Sequence, residues 1–385
     1  MSWTLFKQSR LLKKLDYTLI AVVALIIVFS LIIIYSATKD DTVLRKDFIR
    51  QILHIVIGIG GLIFILNINY EDLAKHMKKL YILNLILLAA VIFVGDSAME
   101  AQRWIQLGPF RFQPSEFSKL IIIVCFAAFL SKRQGRLKKL KDLIPCFAFI
   151  GLPLLLILKQ PDLGTSLVFM AIMFGMLFAA GARPWLLFCL IAGSLAFVSL
   201  WIWAHLWCEA NTAFHLWIPL KDYQLNRLII FLDPWVDPHG LGYHIIQSQI
   251  AIGQGGLLGR GLYQGSQTHG DFLPIQDTDF IFSVVGEELG FVGAIILLFL
   301  FFILIYRCIY IAVNVKDRFG YLITAGVVSM IAFHVLVNVG MTTGIMPITG
   351  IPLPMFSYGG SNMITNLAAL GLLLNINMKK QNILF

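Results

Sequence analysis

The chain has 385 residues, of which 58% are apolar, 13% aromatic and only 13% charged, with a mean hydropathy of +0.83. A soluble domain is roughly 45–50% apolar and about 25% charged, so this composition excludes a disordered chain and argues against a soluble globular enzyme. The formal net charge of +9 leaves two readings at the outset: a basic nucleic-acid footprint, or Lys and Arg acting as topology signals between membrane spans.

In chain order, apolar runs occur at about 17–36, 50–68, 80–95, 117–131, 143–159, 164–181, 185–204, 281–306, 321–345 and 362–377. A helix crosses the ~30 Å hydrocarbon core with roughly 20 apolar residues. The pattern therefore predicts an all-α integral membrane protein of about ten transmembrane helices, one polytopic domain over residues 1–385. The first run lacks a small-residue cleavage site and more spans follow it, so it reads as a span and not as a removed signal peptide. The five cysteines include no CxxC, and four lie inside apolar runs, so neither a disulfide framework nor a zinc finger is indicated.

The basic residues alternate along the chain. Lys7, Arg10, Lys13 and Lys14 precede the first span; Lys75, Lys78 and Lys79 follow the second; Lys132, Arg133, Arg136, Lys138, Lys139 and Lys141 follow the fourth. Arg183 comes next, then Arg307, Lys316 and Arg318, then Lys379 and Lys380. These segments hold 19 of the 30 positives, and with ten spans they share one side, which places both termini in the cytoplasm. Asp40, Asp41 and Asp47 offset the positives of the first outer loop. The net charge is thus a topology signal, and no nucleic acid is needed to explain it.

Three outward segments remain. Residues 96–116 form a medium loop. Residues 205–280 form a large extracytoplasmic loop between the seventh and eighth spans, far longer than an ordinary connection and rich in apolar residues. The third, residues 346–361, packs three prolines and three glycines into an apolar stretch, a composition that suits a re-entrant segment whose backbone is covered by protein or water.

Charges beside spans are the informative ones, because burying them unpaired costs several kcal/mol. In residues 103–120, RWIQLGPFRFQPSEFSKL, Pro114 and Ser115 read as a helix start with Ser115 as N-cap. Glu116 then lies in the first turn, and Lys119 follows three residues on, on the same face. The two either form an ion pair holding the span end, or Lys119 faces an anionic lipid head group. Arg103 and Trp104 are either interfacial anchors or a platform for a sugar and its phosphate. In residues 159–166, KQPDLGTS, Lys159 and Asp162 flank a tight turn between two spans. At the end of the large loop, Asp277 and Asp279 stand where the eighth span begins, and Glu287 and Glu288 lie about two turns deeper. Partial desolvation at the membrane surface would raise the Asp279 pKa and make it a better base. The glycines of GQGGLLGRG contain no Walker pattern and lie on the outer side, so a nucleotide loop is rejected.

Together these stretches resemble the SEDS family of bacterial cell-wall proteins (shape, elongation, division, sporulation), closest to its elongation branch, RodA, and related to the division branch, FtsW. The resemblance covers nearly the whole chain. It rests on QRWIQLG with FQPSEFSK, QPDLGTS, DPHGLGY, QSQIAIGQGGLLGRG, FLPIQDTDFIFSVVGEELG and NVGMTTGIMPITGIPLPMFSYGGS, in that order. It implies a peptidoglycan glycosyltransferase of the bacterial cytoplasmic membrane. Such an enzyme polymerises lipid II on the outer face during elongation, with a class B penicillin-binding protein as transpeptidase partner and the elongation machinery around it. The family's essential outer-loop aspartate falls on Asp279. Family residues also fall on Arg103, Trp104, Gln113, Glu116, Lys119, Asp162 and Gln249. The leaving diphosphate would be met by Lys119, Arg103 or a divalent cation, Mg or Mn. One departure stands out: where the family reads FLPE-x-H-TDF, this chain has Ile275 for the Glu and Asp277 for the His, which puts a second carboxylate two residues from the base. Asp277 could bind a metal, share the proton, or point into solvent. A lipid II flippase and a non-catalytic scaffold for a penicillin-binding protein are the competing readings. Most charges cluster at the outer edge and few lie along a path through the bilayer, which favours the enzyme.

Overall fold

The structure, a computed structural model, describes residues 15–39, 45–98, 101–107, 110–211, 222–270 and 272–380. The amino-terminal cations Lys7 to Lys14, and Asp40 and Asp41, lie outside these residues. The long helices are α1 (Tyr17–Thr38), α2 (Arg45–Asn67), α4 (Met77–Val94), α5 (Pro114–Ser131), α6 (Leu140–Lys159), α7 (Leu163–Ala179), α8 (Pro184–Asn211), α12 (Ile281–Asn314), α13 (Arg318–Thr342) and α14 (Gly360–Lys380), with the short α3 (Tyr70–Lys75) between α2 and α4. Each of the ten predicted apolar runs falls on one of these ten long helices. Among the described residues, seven of them are long and apolar enough to cross a bilayer on composition alone. Large apolar side chains such as Phe93, Trp185 and Phe197 stay exposed on their flanks, as expected where lipid is the solvent.

Local chemistry sets the helix ends. Asp16 caps α1 by accepting from the Leu19 N–H at 3.0 Å, and its other oxygen accepts from Arg307 Nη2 on α12 at 2.6 Å. Asp162 caps α7, accepting from the Thr165 N–H at 3.1 Å and its hydroxyl at 2.9 Å. At α5 the expected Ser115 cap is corrected: Gln113 occupies the N-cap and Pro114 the first helical position. The proline has no N–H to satisfy there, and Ser115 Oγ is instead 3.5 Å from Asp162 Oδ2.

The loop expected at 96–116 is largely ordered as a small antiparallel sheet of β1 (Asp96–Ala98), β2 (Ala101–Leu107) and β3 (Phe110–Phe112), in the order β1-β2-β3. The all-α expectation missed it because β1 and β3 have three residues each and β2, AQRWIQL, breaks the apolar–polar alternation. The loop expected at 205–280 is mostly helical over its described residues: α8 runs on to Asn211, and α9 (Asp222–Leu232), a 3₁₀ turn (Pro234–Val236), α10 (Leu241–Gly255) and α11 (Ser266–His269) follow. In the core, α13 packs on α5, α7 and α12, and α14 packs on α2.

Two irregular features position the end of the bundle that carries Asp279. The first is a break in α12 at Gly290, whose φ of +65° and ψ of −161° lie outside the helical region. Residues 256–261 fill the gap: the N–H groups of Arg260 and Gly261 donate to the carbonyls of Glu287 and Glu288 at 3.0 Å, and those of Phe291 and Val292 donate to Gly256 and Leu257 at 2.9 and 3.1 Å. A β-carbon on Gly259 would stand 2.1 Å from the Glu288 carbonyl oxygen, so only glycine permits this docking. The second is the segment 343–359, irregular yet buried over its later part, with Leu353, Met355, Phe356 and Ser357 at 0% exposure. Its polar backbone is satisfied by neighbours, as buried non-helical chain requires. Ser30 donates to the Phe356 carbonyl at 2.5 Å, Gln51 to that of Ser357 at 3.3 Å, and Asn338 to that of Ile351 at 2.9 Å.

Candidate active site

Asp279 stands one residue before the Phe280 cap of α12, between the end of the outer helical cap and the buried segment 343–359. Asn338 Nδ2 on α13 donates both to the Asp279 backbone carbonyl and to that of Ile351, each at 2.9 Å. One amide thus fixes the aspartate's backbone and the irregular segment to a rigid helix. Asp279 Oδ2 lies 3.4 Å from where a β-carbon on Gly350 would stand. Among the described residues, no hydrogen bond reaches the Asp279 carboxyl. Burial pushes its pKa from the usual 3.8 up to about 6, against the pull of Arg227 first and Arg103 second, with Asp162 adding to the rise. The side chain remains partly accessible, so a reactant can reach it.

Of the other predicted site residues, Arg103 and Asp162 act on the Asp279 carboxyl from distant parts of the chain. Arg103 on β2 donates Nη2 to the Pro161 carbonyl and holds Nη1 3.8 Å from Asp162 Oδ1. Gln113 Nε2 reaches Asp162 Oδ2 at 3.3 Å and Ser115 Oγ at 3.1 Å, while its backbone N–H donates to Ser361 Oγ at the start of α14, at 3.0 Å. Asp162 is therefore a junction that ties β2, α5 and α7 together. Trp104 pairs across the sheet with Asp96 and is partly buried.

Glu116 and Lys119 form the ion pair expected of their spacing, 2.7 Å between Oε1 and Nζ, with the lysine side chain 2% exposed. Lys119 Nζ also lies 3.3 Å from His334 Nε2 on α13, one helical turn from Asn338. The lysine is thus an interior group here, paired and not presented at the surface. Asp277 and Asp279 face different surroundings. Asp277 is buried, its carbonyl accepts from the Tyr358 N–H at 2.9 Å, and burial lifts its carboxyl to about 6, with Asp47 and then Asp279 adding to the rise. The Asp47 side is closed by Tyr358, whose hydroxyl donates to Asp47 Oδ1 at 3.0 Å. Gln249 joins neither group. It lines an open groove of about 470 Å³ with Phe231, Trp235, Ile246 and Gly344, and its amide is 3.4 Å from the Thr343 carbonyl.

The deeper carboxylates are consumed by structure. Glu287 accepts from the Gln267 N–H at 2.6 Å, the Thr268 N–H at 3.0 Å, the Thr268 hydroxyl at 2.7 Å and the Ser266 hydroxyl at 3.3 Å. Glu288 Oε1 accepts from Ser36 Oγ at 2.5 Å and lies 3.2 Å from His269 Nε2. Both hold the outer cap onto α12. Among the described residues, no three or more His, Cys, Asp or Glu side chains are grouped to hold a metal.

Sequence reasoning missed Arg227, Asn338 and His334. Arg227 donates to the Ile348 carbonyl at 3.3 Å and acts on Asp279 more strongly than Arg103 does. The available signal was its rarity, as one of few cations between residues 205 and 280. Asn338 and His334 offered only that they are polar residues in the middle of an apolar helix.

The family model for FtsW, RodA and SpoVE, described as cell cycle protein, matches residues 12–382. Stage V sporulation protein E of Bacillus subtilis (strain 168) is 37% identical over 373 residues, covering 94% of this chain and 96% of the relative. Peptidoglycan glycosyltransferase MrdB of Escherichia coli (strain K12) is 38% identical over 370 residues, covering 95% and 94%. Among solved structures, a chain from a peptidoglycan synthase complex that coordinates polymerization and crosslinking aligns with a TM-score of 0.78 at 31% identity, covering 95% of this chain and 98% of that one. The rod shape determining protein RodA of Thermus thermophilus aligns with a TM-score of 0.68 at 28% identity, covering 95% and 97%.

Proposed function

The chain belongs to the cell cycle protein family of FtsW, RodA and SpoVE, and from that premise we propose how it works as a peptidoglycan glycosyltransferase. Asp279 is the general base. Its carboxylate takes the proton of the 4-hydroxyl on the acceptor sugar of lipid II. The freed oxygen attacks the anomeric carbon of the donor sugar, and the donor's glycosidic C–O bond to undecaprenyl diphosphate breaks with inversion. The diphosphate leaves as an anion and needs no separate acid. Positive charge on that side comes from Arg103 and Arg227, the two cations that already act on Asp279. A divalent cation, Mg or Mn, would add positive charge for the leaving diphosphate, though among the described residues no three His, Cys, Asp or Glu side chains are grouped to hold it.

The remaining site residues divide by role. Asp162 and Gln113 hold the sheet bearing Arg103 and Trp104 against the ends of α5 and α7. Trp104 offers a ring for a sugar face. The Glu116–Lys119 pair with His334 stiffens α5 against α13, beneath the helix turn that carries Asn338. Asp277 shapes the wall of the site toward Tyr358, and Gln249 lies on a separate groove. We place the site on the outer face of the bacterial cytoplasmic membrane, both termini in the cytoplasm, with elongation as the setting and a class B penicillin-binding protein as partner.

The observation that carries this reading is Asp279 itself: raised to about 6, partly accessible, and free of hydrogen bonds to its carboxyl among the described residues. A carboxylate with a pKa below but near the working pH suits general-base catalysis. The test is polymerisation of lipid II by the purified complex with its cognate penicillin-binding protein, comparing Asp279→Ala with Asp277→Ala. Loss of polymer in the first and retention in the second is expected; normal polymer from Asp279→Ala would sink the assignment. A flippase needs ionisable groups along a path through the membrane, and the deepest candidates, Glu287 and Glu288, are instead bonded to the outer cap.

A further inference from the structure

The opposite end of α5 carries a second concentration of charge that the polymerase reaction does not use. α5 is 18 residues long, so about 27 Å separates the Gln113 end from the Ser131 end. Beyond Ser131 the chain makes a tight turn, with Arg133 N–H to the Leu130 carbonyl at 2.9 Å and Arg136 N–H to the Arg133 carbonyl at 3.2 Å, closed by Gly135 at φ +73°. Leu137 is 1% exposed and pins the turn to the core. Lys132, Arg133 and Arg136 are thereby held along a groove of about 450 Å³ whose other walls are Met77 at the start of α4, Phe129 on α5 and Asp142 in the first turn of α6.

Three features fit this groove to a ligand that is anionic at one end and apolar at the other. Among the described residues, none of the three cations is ion-paired. The one carboxylate in the lining is already engaged, since Asp142 Oδ2 accepts from the Lys139 N–H at 2.8 Å. Arg133 stacks over the Phe129 ring at 4.4 Å, which orients its guanidinium at the groove and leaves its donors for a phosphate. The neighbouring surface of α6 is apolar, with Leu140 52% and Ile144 60% exposed. The groove therefore sits where polar headgroups give way to acyl chains.

We propose that this groove binds the headgroup phosphodiester of an anionic phospholipid from the leaflet on this side, with Lys132, Arg133 and Arg136 as its ligands and the acyl chains lying over Leu140 and Ile144. Basic residues spread along a loop would give diffuse attraction to any anionic membrane; a folded turn with a stacked arginine and a walled groove gives a discrete site. An acidic protein segment would supply the charge but not cover the flanking apolar surface.

Native mass spectrometry of the full chain in detergent tests this with two probes, dioleoyl phosphatidylglycerol and dioleoyl phosphatidylcholine. Retention of one phosphatidylglycerol in preference to phosphatidylcholine is expected. Each cation near an anionic lipid contributes about fivefold, so Arg133→Gln with Arg136→Gln should weaken that retention by about 25-fold, while leaving thermal stability and lipid II polymerisation intact. The matched control removes two cations from the same face outside the groove, Arg183→Gln with Lys316→Gln. Equal loss in the control would reduce the effect to diffuse charge and overturn the proposal. So would undiminished retention in the groove variant. Displacement of the lipid by inorganic phosphate or by an oligoglutamate peptide as readily as by a second phosphatidylglycerol would assign the groove to a free anion or an acidic partner, and would overturn it too.

Discussion

Two pairs of carboxylates, Asp277 with Asp279 and Glu287 with Glu288, lie within one stretch of 12 residues, and the protein treats them in opposite ways. Glu287 is fully buried and receives four hydrogen bonds from residues 266–268. Asp279 is partly open, and among the described residues its carboxyl receives none. A buried carboxylate whose lone pairs are filled by backbone and hydroxyl donors is a structural rivet. One lifted toward the working pH by burial, with that capacity still free, is available for chemistry. Sequence alone ranks the two pairs by depth; the structure ranks them by what occupies their lone pairs.

The largest test of the contrast is catalytic. Removing a general base costs roughly 10²–10⁴ in rate, so Asp279→Ala should reduce lipid II polymerisation by about that factor with little loss of folded protein. Glu287→Ala should reduce polymer only in proportion to the folded protein that survives. If both variants lost rate per folded molecule to the same degree, the division between chemistry and architecture would fall.

Stability gives the second test, with the roles reversed. Glu287→Ala leaves the backbone N–H groups of Gln267 and Thr268 and the Thr268 hydroxyl without their acceptor, while the Ser266 hydroxyl keeps Gln254 Oε1 at 2.8 Å. At about 1–3 kcal/mol for each unsatisfied buried group, partly relieved by water, a loss of about 3 kcal/mol or more is expected. A lower melting temperature in detergent and faster proteolytic nicking within residues 256–270 would report it. An unchanged melting curve would mean that the outer cap does not depend on this carboxyl.

What the sequence made legible divides along the same line. The ten apolar runs fall on ten helices because bilayer thickness dictates their length, and a length can be counted. The Glu116–Lys119 pair was legible because helical spacing places both on one face. The function of Glu287 was not, because its partners lie on the short α11, which is brought to it only after residues 256–261 dock at the Gly290 break in α12. Nor was Arg227, more than fifty residues from Asp279 along the chain, whose approach depends on how the outer cap folds over segment 343–359. The sheet of residues 96–112 escaped because two of its strands have three residues and the third, AQRWIQL, lacks clean alternation, so pairing and not pattern makes it. The shift from Ser115 to Gln113 at the α5 cap turned on Asp162, which claims the serine hydroxyl from another helix.

A third test reverses a sign. A carboxyl whose folded pKa is raised destabilises the fold when ionised: its contribution is most favourable below the ordinary value of 3.8, declines as pH rises toward about 6, and stays at its least favourable above that. At pH 7.5, Asp279→Asn should therefore stabilise the protein, by about 1–3 kcal/mol given that the side chain is partly solvated. The advantage should shrink as pH falls from 6 toward 4. Thermal unfolding across that range would show it, and a destabilised Asn variant at pH 7.5 would mean that the carboxylate is held by bonds the fold needs.

The smallest expected effect is the most specific to the site. Polymerisation should fall as pH drops through about 6, because protonating Asp279 removes the base. Arg227 pulls that pKa down, so Arg227→Gln should move the midpoint upward, by less than about one unit for a charge acting through a partly solvated site. Arg227→Lys should keep the midpoint near its original place, since the charge is retained even if the bond to the Ile348 carbonyl is weakened. A purely structural role for Arg227 would lower the rate at every pH and leave the midpoint still. The midpoint therefore separates an electrostatic neighbour of the base from a residue that merely fastens α9 to segment 343–359, and it does so where the total rate loss could not. The same measurement on Glu287→Gln should leave the midpoint unmoved, because that carboxyl's charge and bonds serve the outer cap and not the base.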